Sequence, residues 1–190
     1  NIHIVNMLAD VYAKIGNPAA AIEQYTRVAQ EYERLNETAK AIAAYERTLI
    51  TPNSAYDRHA KGDAKALTEQ QVRGLNTFAD VGCTSCHQGP TFSGPPLPAG
   101  TGFFMKFPTF PDSPYVAKYD FLSDTGRASA TKDVADKNVW RVPGLRNLVY
   151  TAPYFHNGLV HTIGESVRIM ASTQLNQSLS DPQVADIVAF

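Results

Sequence analysis

The sequence of 190 residues has few cysteines, almost no net charge and no long apolar run. Two cysteines are too few for a disulfide framework, so we expect them to serve one local site. The formal net charge is −1 and no dense lysine and arginine run occurs, which argues against nucleic acid or an anionic membrane as a partner. No apolar run approaches the roughly 20 residues that span a bilayer. Because 44% of the residues are apolar, we expect a globular chain with its own core.

Both ends of the sequence lie inside helical patterns. Asn1 stands where a complete chain would have Met, and residues 185–190 stop within a helical repeat. We therefore interpret the chain as a piece of a longer protein. A missing leader peptide consequently says little about its compartment.

Residues 1–38 predict two short antiparallel helices. Gly16-Asn17 breaks the first pattern, Asn17 can cap the second helix, and Pro18 suits its first position. The spacing resembles one tetratricopeptide repeat, a module that docks partner proteins, although an ordinary helical hairpin explains it too. The first helix has Val5, Leu8, Ala9 and Tyr12 on one face, and the second is expected to turn inward its residues Ala21, Ile22, Tyr25 and Val28.

The segment before the cysteines predicts a helix, a loop and a second helix. Residues 38–50 are helical, with Ala41, Ile42, Tyr45 and Leu49 on one face. Residues 53–67 are polar and predict a loop. Thr68 and Gln71 form a capping box, which starts a helix that leads directly to Cys83.

The composition changes after the cysteines. Nine of the twelve prolines lie between Pro90 and Pro153, which predicts long irregular loops that wrap something functional. Short strands are expected near 139–142 and 148–150, and helices start again at the caps Thr162 and Ser180. We therefore predict a mostly α fold with a helical hairpin in front.

The motif Cys83-Thr84-Ser85-Cys86-His87 is C-x-x-C-H, the attachment signature of c-type haem. Two thiols one turn apart can each form a thioether with a haem vinyl group, and the adjacent His87 then lies under the iron. The alternative is a zinc site in which Cys83 and Cys86 join His156 and His161, but that spacing is far longer than in zinc fingers. Zinc would also leave His87 without a role.

Candidates for the second axial ligand of such a haem are Met7, Met105, Met170 and the histidines. Met105 lies in an apolar run and is expected to pack. Met170 follows Ile163 and Val167 at helical spacing and therefore points inward. Ligation by His and Met raises the reduction potential and suits electron transfer. Met on a helix face is, however, more often core filler than ligand.

The chain from about residue 39 resembles the C-terminal domain of the bacterial di-haem cytochrome c peroxidases, the family that includes MauG-type enzymes. The resemblance covers about four fifths of the chain. The segments that carry it are AIAAYERTL at 41–49, FADVGCTSCHQGPTFSG at 78–94, VWRVPGLRN at 139–147, TAPYFHNG at 151–158 and VADIVAF at 184–190.

The resemblance implies roles for several residues. Met170 would be the distal ligand of the haem, at the place where MauG-type members have Tyr. Backbone carbonyls of Thr151 and Pro153 would contribute to a calcium site between two domains, and carbonyl oxygen suits calcium. Arg141 and Arg146 flank Pro143-Gly144 and are candidates to bind haem propionates, because Arg pairs well with carboxylates. Surface ion pairs explain the two arginines equally well. His156 is either close to the haem or a structural hydrogen bonder.

The sequence departs from the family in one respect. Family members carry two C-x-x-C-H motifs, and this chain has one, in the part that matches the second domain. We therefore expect residues 39–190 to be the electron-input domain of a periplasmic cytochrome c peroxidase. It would pass electrons from a small cytochrome c or cupredoxin toward a second haem that reduces hydrogen peroxide. The alternative is a mono-haem electron-transfer or sensor module whose helical repeat docks a partner.

Overall fold

The computed structural model describes residues 2–14, 16–46, 48–49, 51–97 and 101–190. Across these ranges the chain forms nine α-helices and one two-stranded sheet, so the predicted mostly α fold is confirmed. The chain divides into two compact units, Asn1–Ala66 and Leu67–Phe190. None of the helices in the described ranges has the length and apolar character to cross a membrane.

The first unit consists of α1 (Ile2–Lys14), α2 (Pro18–Arg34), α3 (Thr38–Glu46) and α4 (Ala55–Ala60). The predicted cap of α2 is present, because the Asn17 side chain accepts a hydrogen bond from the Ala20 amide at 3.2 Å. Small residues let α1 and α2 approach closely, and Ala9 and Ala21 are fully buried. The Tyr25 hydroxyl closes this core by donating to Asp10 at 2.5 Å.

In the first unit, the apolar face of α3 is not the buried one, and the prediction of a loop at 53–67 is wrong. The face of α3 that packs inward carries Ala44, which is 1% exposed, whereas Ile42 and Tyr45 are 54% and 57% exposed. A small residue allows α3 to lie close to α2, and the large apolar side chains point outward. Helix α4 lies in the segment predicted as loop, because Ser54 and Asp57 form a reciprocal capping box there.

The chain divides into its two units between Ala66 and Leu67, whereas the sequence proposes a domain boundary after residue 38. Helix α3 lies in the first unit and packs against α2. The boundary after residue 38 is where the resemblance read from the sequence motifs was expected to start, so it describes a different property of the chain from the division at Ala66.

The second unit starts with α5 (Glu69–Asp80) and ends with α8 (Ile163–Leu175) and α9 (Asp181–Ala189). All three predicted caps are present, since Thr68, Thr162 and Ser180 each accept a backbone hydrogen bond from the third residue after them. Between α5 and α8 the chain is mostly irregular. The short elements there are β1 (Phe104–Lys106), α6 (Pro114–Lys118), α7 (Ala128–Thr131) and β2 (Val139–Arg141).

Helices α5 and α9 cross at a glycine. A Cβ atom at Gly74 would lie 1.9 Å from the carbonyl oxygen of Asp186, so no larger residue fits at this crossing. Arg73 adds an ion pair with Asp186, with Nε 3.2 Å from Oδ2. This crossing holds α5 in place, and α5 ends three residues before Cys83.

The sheet pairs β1 with β2 in antiparallel register, with Met105 opposite Trp140. Hydrogen bonds extend the pairing, because the Val142 amide donates to Phe103 and the Phe107 amide donates to Asn138, both at 2.8 Å. The sequence predicted β2 but missed β1. The strand predicted at 148–150 is instead a 3-10 turn, since Asn147 before it adopts φ 63° and breaks the extended chain.

Two hydrophobic clusters form the core of the second unit. Helix α8 belongs to both, because its Ala171 lies in one and its Ile169 in the other. The α5–α9 cluster contains Phe78, Val81, Ala171, Leu179, Val184 and Ile187. The aromatic cluster contains Phe107, Val116, Tyr119, Phe121, Val160 and Ile169.

Candidate functional site

The two cysteines lie on one short turn at the end of α5. Gly82, with φ 97°, redirects the chain, and a 3-10 turn follows at Cys83–Ser85. Both thiols are free and half-buried. Burial raises the pKa of Cys83 to about 11 and also raises that of Cys86, so both groups are neutral thiols at neutral pH. One short turn at the end of α5 therefore carries both cysteines of the motif.

His87 is buried and its ring is held by backbone carbonyls. Its amide donates to the Cys83 carbonyl at 2.9 Å, and its Nδ1 lies 2.9 Å from the carbonyl oxygen of Phe92. Burial lowers the pKa of His87, against smaller opposing effects of the Phe92 and Pro143 carbonyls. Since a carbonyl can only accept, we assign the proton of the neutral imidazole to Nδ1. The lone pair of Nε2 is then available to a metal.

An aromatic ring of α5, that of Phe78, lies beside His87. The ring of Phe78 lies 6.5 Å from that of His87 and 6.3 Å from that of Phe92. Cys83 and Phe92 both pack against the α5–α9 cluster. Half-buried thiols, a buried neutral imidazole and an apolar wall are the donor set and surroundings that covalently attached haem requires. The residues present therefore fit haem c.

Met170 is half-buried on α8 and packs against the aromatic cluster. Neighbouring Ala171 packs in the α5–α9 cluster, which also contacts Cys83. Helix α8 thus connects the apolar surroundings of the attachment turn with those of Met170. Met105, by contrast, is 37% exposed on β1, and Met7 is 56% exposed in the first unit.

The two candidate propionate ligands lie near the loop that follows His87. Arg146 donates from Nε to the Pro90 carbonyl at 2.6 Å. Arg141 is exposed and lines a shallow cavity of about 210 Å³, together with Pro90, Thr91 and Ser93. Both arginines therefore adjoin the segment that follows the attachment motif.

The candidate calcium residues Thr151 and Pro153 are exposed and follow the 3-10 turn at Leu148–Tyr150. The Leu148 carbonyl orders this segment by accepting from the Thr151 amide at 3.0 Å and the Tyr154 hydroxyl at 2.8 Å. In the described part of the chain, no group of three or more His, Cys, Asp or Glu side chains comes together to hold a metal. The zinc site of Cys83, Cys86, His156 and His161 is therefore not formed.

Trp140 and His156 form a stack that the sequence did not predict. Their ring centroids lie 4.1 Å apart with an interplanar angle of 15°. Trp140 Nε1 and His156 Nε2 are buried without a hydrogen-bond partner among the described residues, as is Asn138 Oδ1. Burial lowers the pKa of His156, which Asp124 and the Phe121 carbonyl partly offset. The stack adjoins the aromatic cluster, because Trp140 packs against it as Met170 does.

The chain matches several known proteins. The model of the family described as di-haem cytochrome c peroxidase matches residues 3–65. The cytochrome c551 peroxidase of Pseudomonas aeruginosa is 41% identical over 152 residues, which are 80% of this chain and 41% of that protein. The cytochrome c551 peroxidase of Nitrosomonas europaea is 39% identical over 79% of this chain and 41% of its own. For the cytochrome c peroxidase of Escherichia coli, identity is 40% over 79% of this chain and 30% of its own.

A solved structure supports the same assignment. The crystal structure of a MauG-like protein associated with microbial copper homeostasis matches with a TM-score of 0.60 and 26% identity, over 80% of this chain and 55% of that one. The chain spans about two fifths or less of the length of these three peroxidases. Over about four fifths of its length, the chain belongs to the di-haem cytochrome c peroxidase and MauG family.

Proposed function

We propose that residues 39–190 are the electron-transfer haem domain of a di-haem cytochrome c peroxidase. Cys83 and Cys86 would hold one haem c covalently, and His87 would bind its iron. The observation that carries this proposal is the Nδ1 contact of His87 with a backbone carbonyl at 2.9 Å, which would leave the lone pair of Nε2 available to the iron. When bound, haem c supplies a one-electron iron couple.

Met170 is the proposed second axial ligand. Its thioether sits on a capped helix and packs against the aromatic cluster, so its backbone is held firmly. A thioether favours reduced iron more than an imidazole does, which raises the reduction potential and suits electron transfer. With His87 and Met170 as ligands, the iron would have no open position for peroxide.

The domain is proposed to relay electrons within a larger enzyme. A small cytochrome c or cupredoxin would deliver electrons, and a second haem in another part of the enzyme would reduce hydrogen peroxide to water. Two facts support this role: the matched relatives are named cytochrome c peroxidases, and this chain carries one attachment motif. Covalent attachment of haem to two cysteines favours an oxidising compartment, so the location proposed for the enzyme is the periplasm.

Two further groups of residues complete the proposal. Arg141 and Arg146 would bind haem propionates, since both adjoin the segment after His87. The carbonyls of Thr151 and Pro153 would contribute to a calcium site. Neutral carbonyls alone bind calcium weakly, so tight binding would need a charged ligand from elsewhere in the enzyme.

A second candidate function is a mono-haem electron-transfer or sensor module that docks a partner through its first unit. The observation that favours it is a groove of about 620 Å³ between α2 and α3. Thr26, Ile42 and Tyr45 line this groove, and the two large apolar side chains are more than half exposed. A repeat-like hairpin would present such a groove to a partner protein.

The proposed haem attachment is tested on protein matured with a haem-attachment system. We expect one haem per chain that resists acid–acetone extraction, and none in the Cys83→Ser, Cys86→Ser double variant. Haem that is extracted completely from the unmodified chain would contradict the proposal. Stoichiometric zinc in its place would also contradict it.

The ligand role of Met170 is tested by substitution and by turnover. Met170→His is expected to lower the reduction potential, because imidazole stabilises ferric iron relative to a thioether. The matched control, Met105→Leu, should leave the potential unchanged. The unmodified chain should not consume peroxide at ordinary enzyme rates of roughly 1–10³ per second. Robust turnover would exclude the relay role.

A further inference from the structure

Helix α8 is joined to the segment after β1 by hydrogen bonds from one side chain. The Gln174 Oε1 accepts from the Thr109 amide at 2.8 Å, and its Nε2 donates to the Lys106 carbonyl at 3.0 Å. A primary amide carries a donor and an acceptor in one plane, so it pairs with a backbone N–H and C=O at once. Gln174 therefore binds the Thr109 amide and the Lys106 carbonyl at the same time, and we call this pair of hydrogen bonds the clamp.

Backbone and hydroxyl contacts reinforce the same junction. The carbonyl of Thr173 accepts from the Thr109 amide at 3.0 Å and from the Phe110 amide at 2.9 Å. Ser113 and Ser172 share a hydrogen bond of 2.8 Å between their hydroxyls. The residues of α8 that hold the loop thus follow Met170 directly in the chain.

Gln174 also lies on the same side of α8 as Met170. Residues four apart on a helix are neighbours on one face, so the two side chains project together. The clamp therefore acts on the turn of helix that carries the proposed ligand.

The other end of the clamped loop leads to His87. Lys106 is the last residue of β1 and pairs with Val139 of β2. Strand β2 continues through Val142 to Pro143, whose carbonyl is one of the two that interact with His87. The hydrogen bonds of Gln174 and of the strand pair thus join the Met170 helix to the backbone segment that continues to Pro143, which interacts with His87.

We propose that Gln174 is a positioning residue that holds Met170 at ligand distance from the iron bound by His87. It would do so by fixing α8 to the strand pair that orients His87. This inference rests on the proposed haem ligation and deepens it. Lys106 is exposed, so water can replace the lost hydrogen bond when Gln174 is changed. The clamp is therefore expected to affect ligand geometry more than global stability.

The test measures the bond between Met170 and iron in the haem-loaded chain. Ferric haem with a methionine ligand shows a weak far-red charge-transfer band, and added imidazole competes for the same position. Gln174→Leu should weaken the band and lower the imidazole concentration at half-displacement about tenfold, which corresponds to the net loss of one to two hydrogen bonds. Gln174→Glu retains the acceptor for Thr109 and should give an intermediate value.

Two controls separate the possible failures. Gln70→Leu removes an exposed amide of α5 whose nearest partner is the Ala185 carbonyl at 3.5 Å, and it should match the unmodified protein. Met170→Ala should abolish the band, and a band that survives would overturn the haem ligation itself. If Met170→Ala abolishes the band while both Gln174 variants behave as the unmodified protein, the clamp is wrong. If Gln174→Leu does not fold, the Gln174→Glu result decides.

Discussion

The cores of the two units are built from different kinds of side chain. In the first unit, α1 and α2 meet through Ala9 and Ala21, and large apolar residues such as Ile42 and Tyr45 remain exposed. In the second unit, aromatic rings dominate one cluster and long segments between α5 and α8 lack regular structure. Small residues on regular helices can pack without any other component. Long irregular segments in a compact unit are usually functional, as expected if they wrap the proposed haem.

The largest expected difference between the units appears when haem is withheld. In the Cys83→Ser, Cys86→Ser double variant we expect the second unit to lose protection from hydrogen exchange along most of residues 83–160. The first unit should retain its protection. The reason is that a ligand bound only by the folded state stabilises that state, and its loss removes the stabilisation.

Hydrogen exchange read by mass spectrometry, peptide by peptide, measures this difference. The haem-loaded chain and the double variant are compared under the same conditions. Equal protection of residues 83–160 in both proteins would show that the second unit builds its core without haem. The two units would then not differ in whether their cores depend on haem.

The next effect concerns two helical glycines that face α9. At Gly74 an added Cβ would lie 1.9 Å from the Asp186 carbonyl, whereas at Gly164 it would lie 3.6 Å from a Val184 methyl group. Gly74→Ala should lower the free energy of unfolding of the second unit by about 1–3 kcal/mol, because the helices must separate. Gly164→Ala should raise it by less than about 1 kcal/mol, through better helix propensity.

Thermal or urea unfolding of the haem-loaded variants measures both glycine effects. The two substitutions add the same atoms to helices that pack on the same partner, so each is the control for the other. Equal effects of the two would contradict the close crossing of α5 and α9.

A smaller effect is expected from calcium. Thr151 and Pro153 offer neutral carbonyls, and calcium affinity grows with the number of charged ligands. Calorimetry on this chain should therefore detect weak binding or none. Tight binding would show that the second unit supplies a carboxylate of its own.

The smallest expected effect is on acid stability. Hydrogen bonds from Tyr119 and Lys118 hold the pKa of Glu165 below its ordinary value of 4.5. A carboxylate with a lowered pKa stabilises the fold above its unfolded pKa, and this contribution is lost as pH falls through the folded pKa. Glu165→Gln should therefore flatten the pH dependence of the second unit's stability below about pH 4.5.

The first unit provides the comparison for Glu165. There, Arg34 lowers the pKa of Glu31 in the same direction, but both residues lie on α2. Glu31→Gln should thus affect only the end of one helix, whereas Glu165 connects α8 with α6. Urea midpoints measured from pH 3 to pH 7 compare the two variants. If the midpoints of Glu165→Gln and the unmodified chain fall equally at low pH, Glu165 does not stabilise the contact between α8 and α6.

Local signals in the sequence predicted the starts of several helices well. They did not predict which face of a helix is buried, because contacts with distant residues determine that. Thr68 and Ser180 are followed by Gln at the third position, which made their capping boxes recognisable. Ser54 uses Asp57 in the same way, but α4 is one and a half turns long and has no apolar stripe to reveal it. Periodicity likewise put Ile42 and Tyr45 on one face of α3, but such a pattern cannot show that the buried residue of this helix is Ala44.

In the candidate site too, residues with a local sequence signal could be predicted and those that depend on distant contacts could not. The attachment motif predicted Cys83, Cys86 and His87 because the three residues are adjacent and their chemistry is specific. The carbonyls of Phe92 and Pro143 that orient His87 carry no side-chain signal and depend on loop geometry. Gln174 was missed for a similar reason, since its partners are backbone groups of a segment that the sequence treated as irregular.

The turn at Asn157-Gly158 has a consequence for the chemical ageing of the protein. Asn-Gly pairs deamidate when the glycine nitrogen attacks the asparagine side chain. Here Asn157 Nδ2 donates to the Tyr119 carbonyl at 2.7 Å, its Oδ1 accepts from the Leu159 amide, and the Gly158 amide donates to Phe155. All groups that the reaction needs are therefore engaged while the turn is closed. The rate at which Asn157 converts to aspartate or isoaspartate in stored protein would therefore report how often this turn opens.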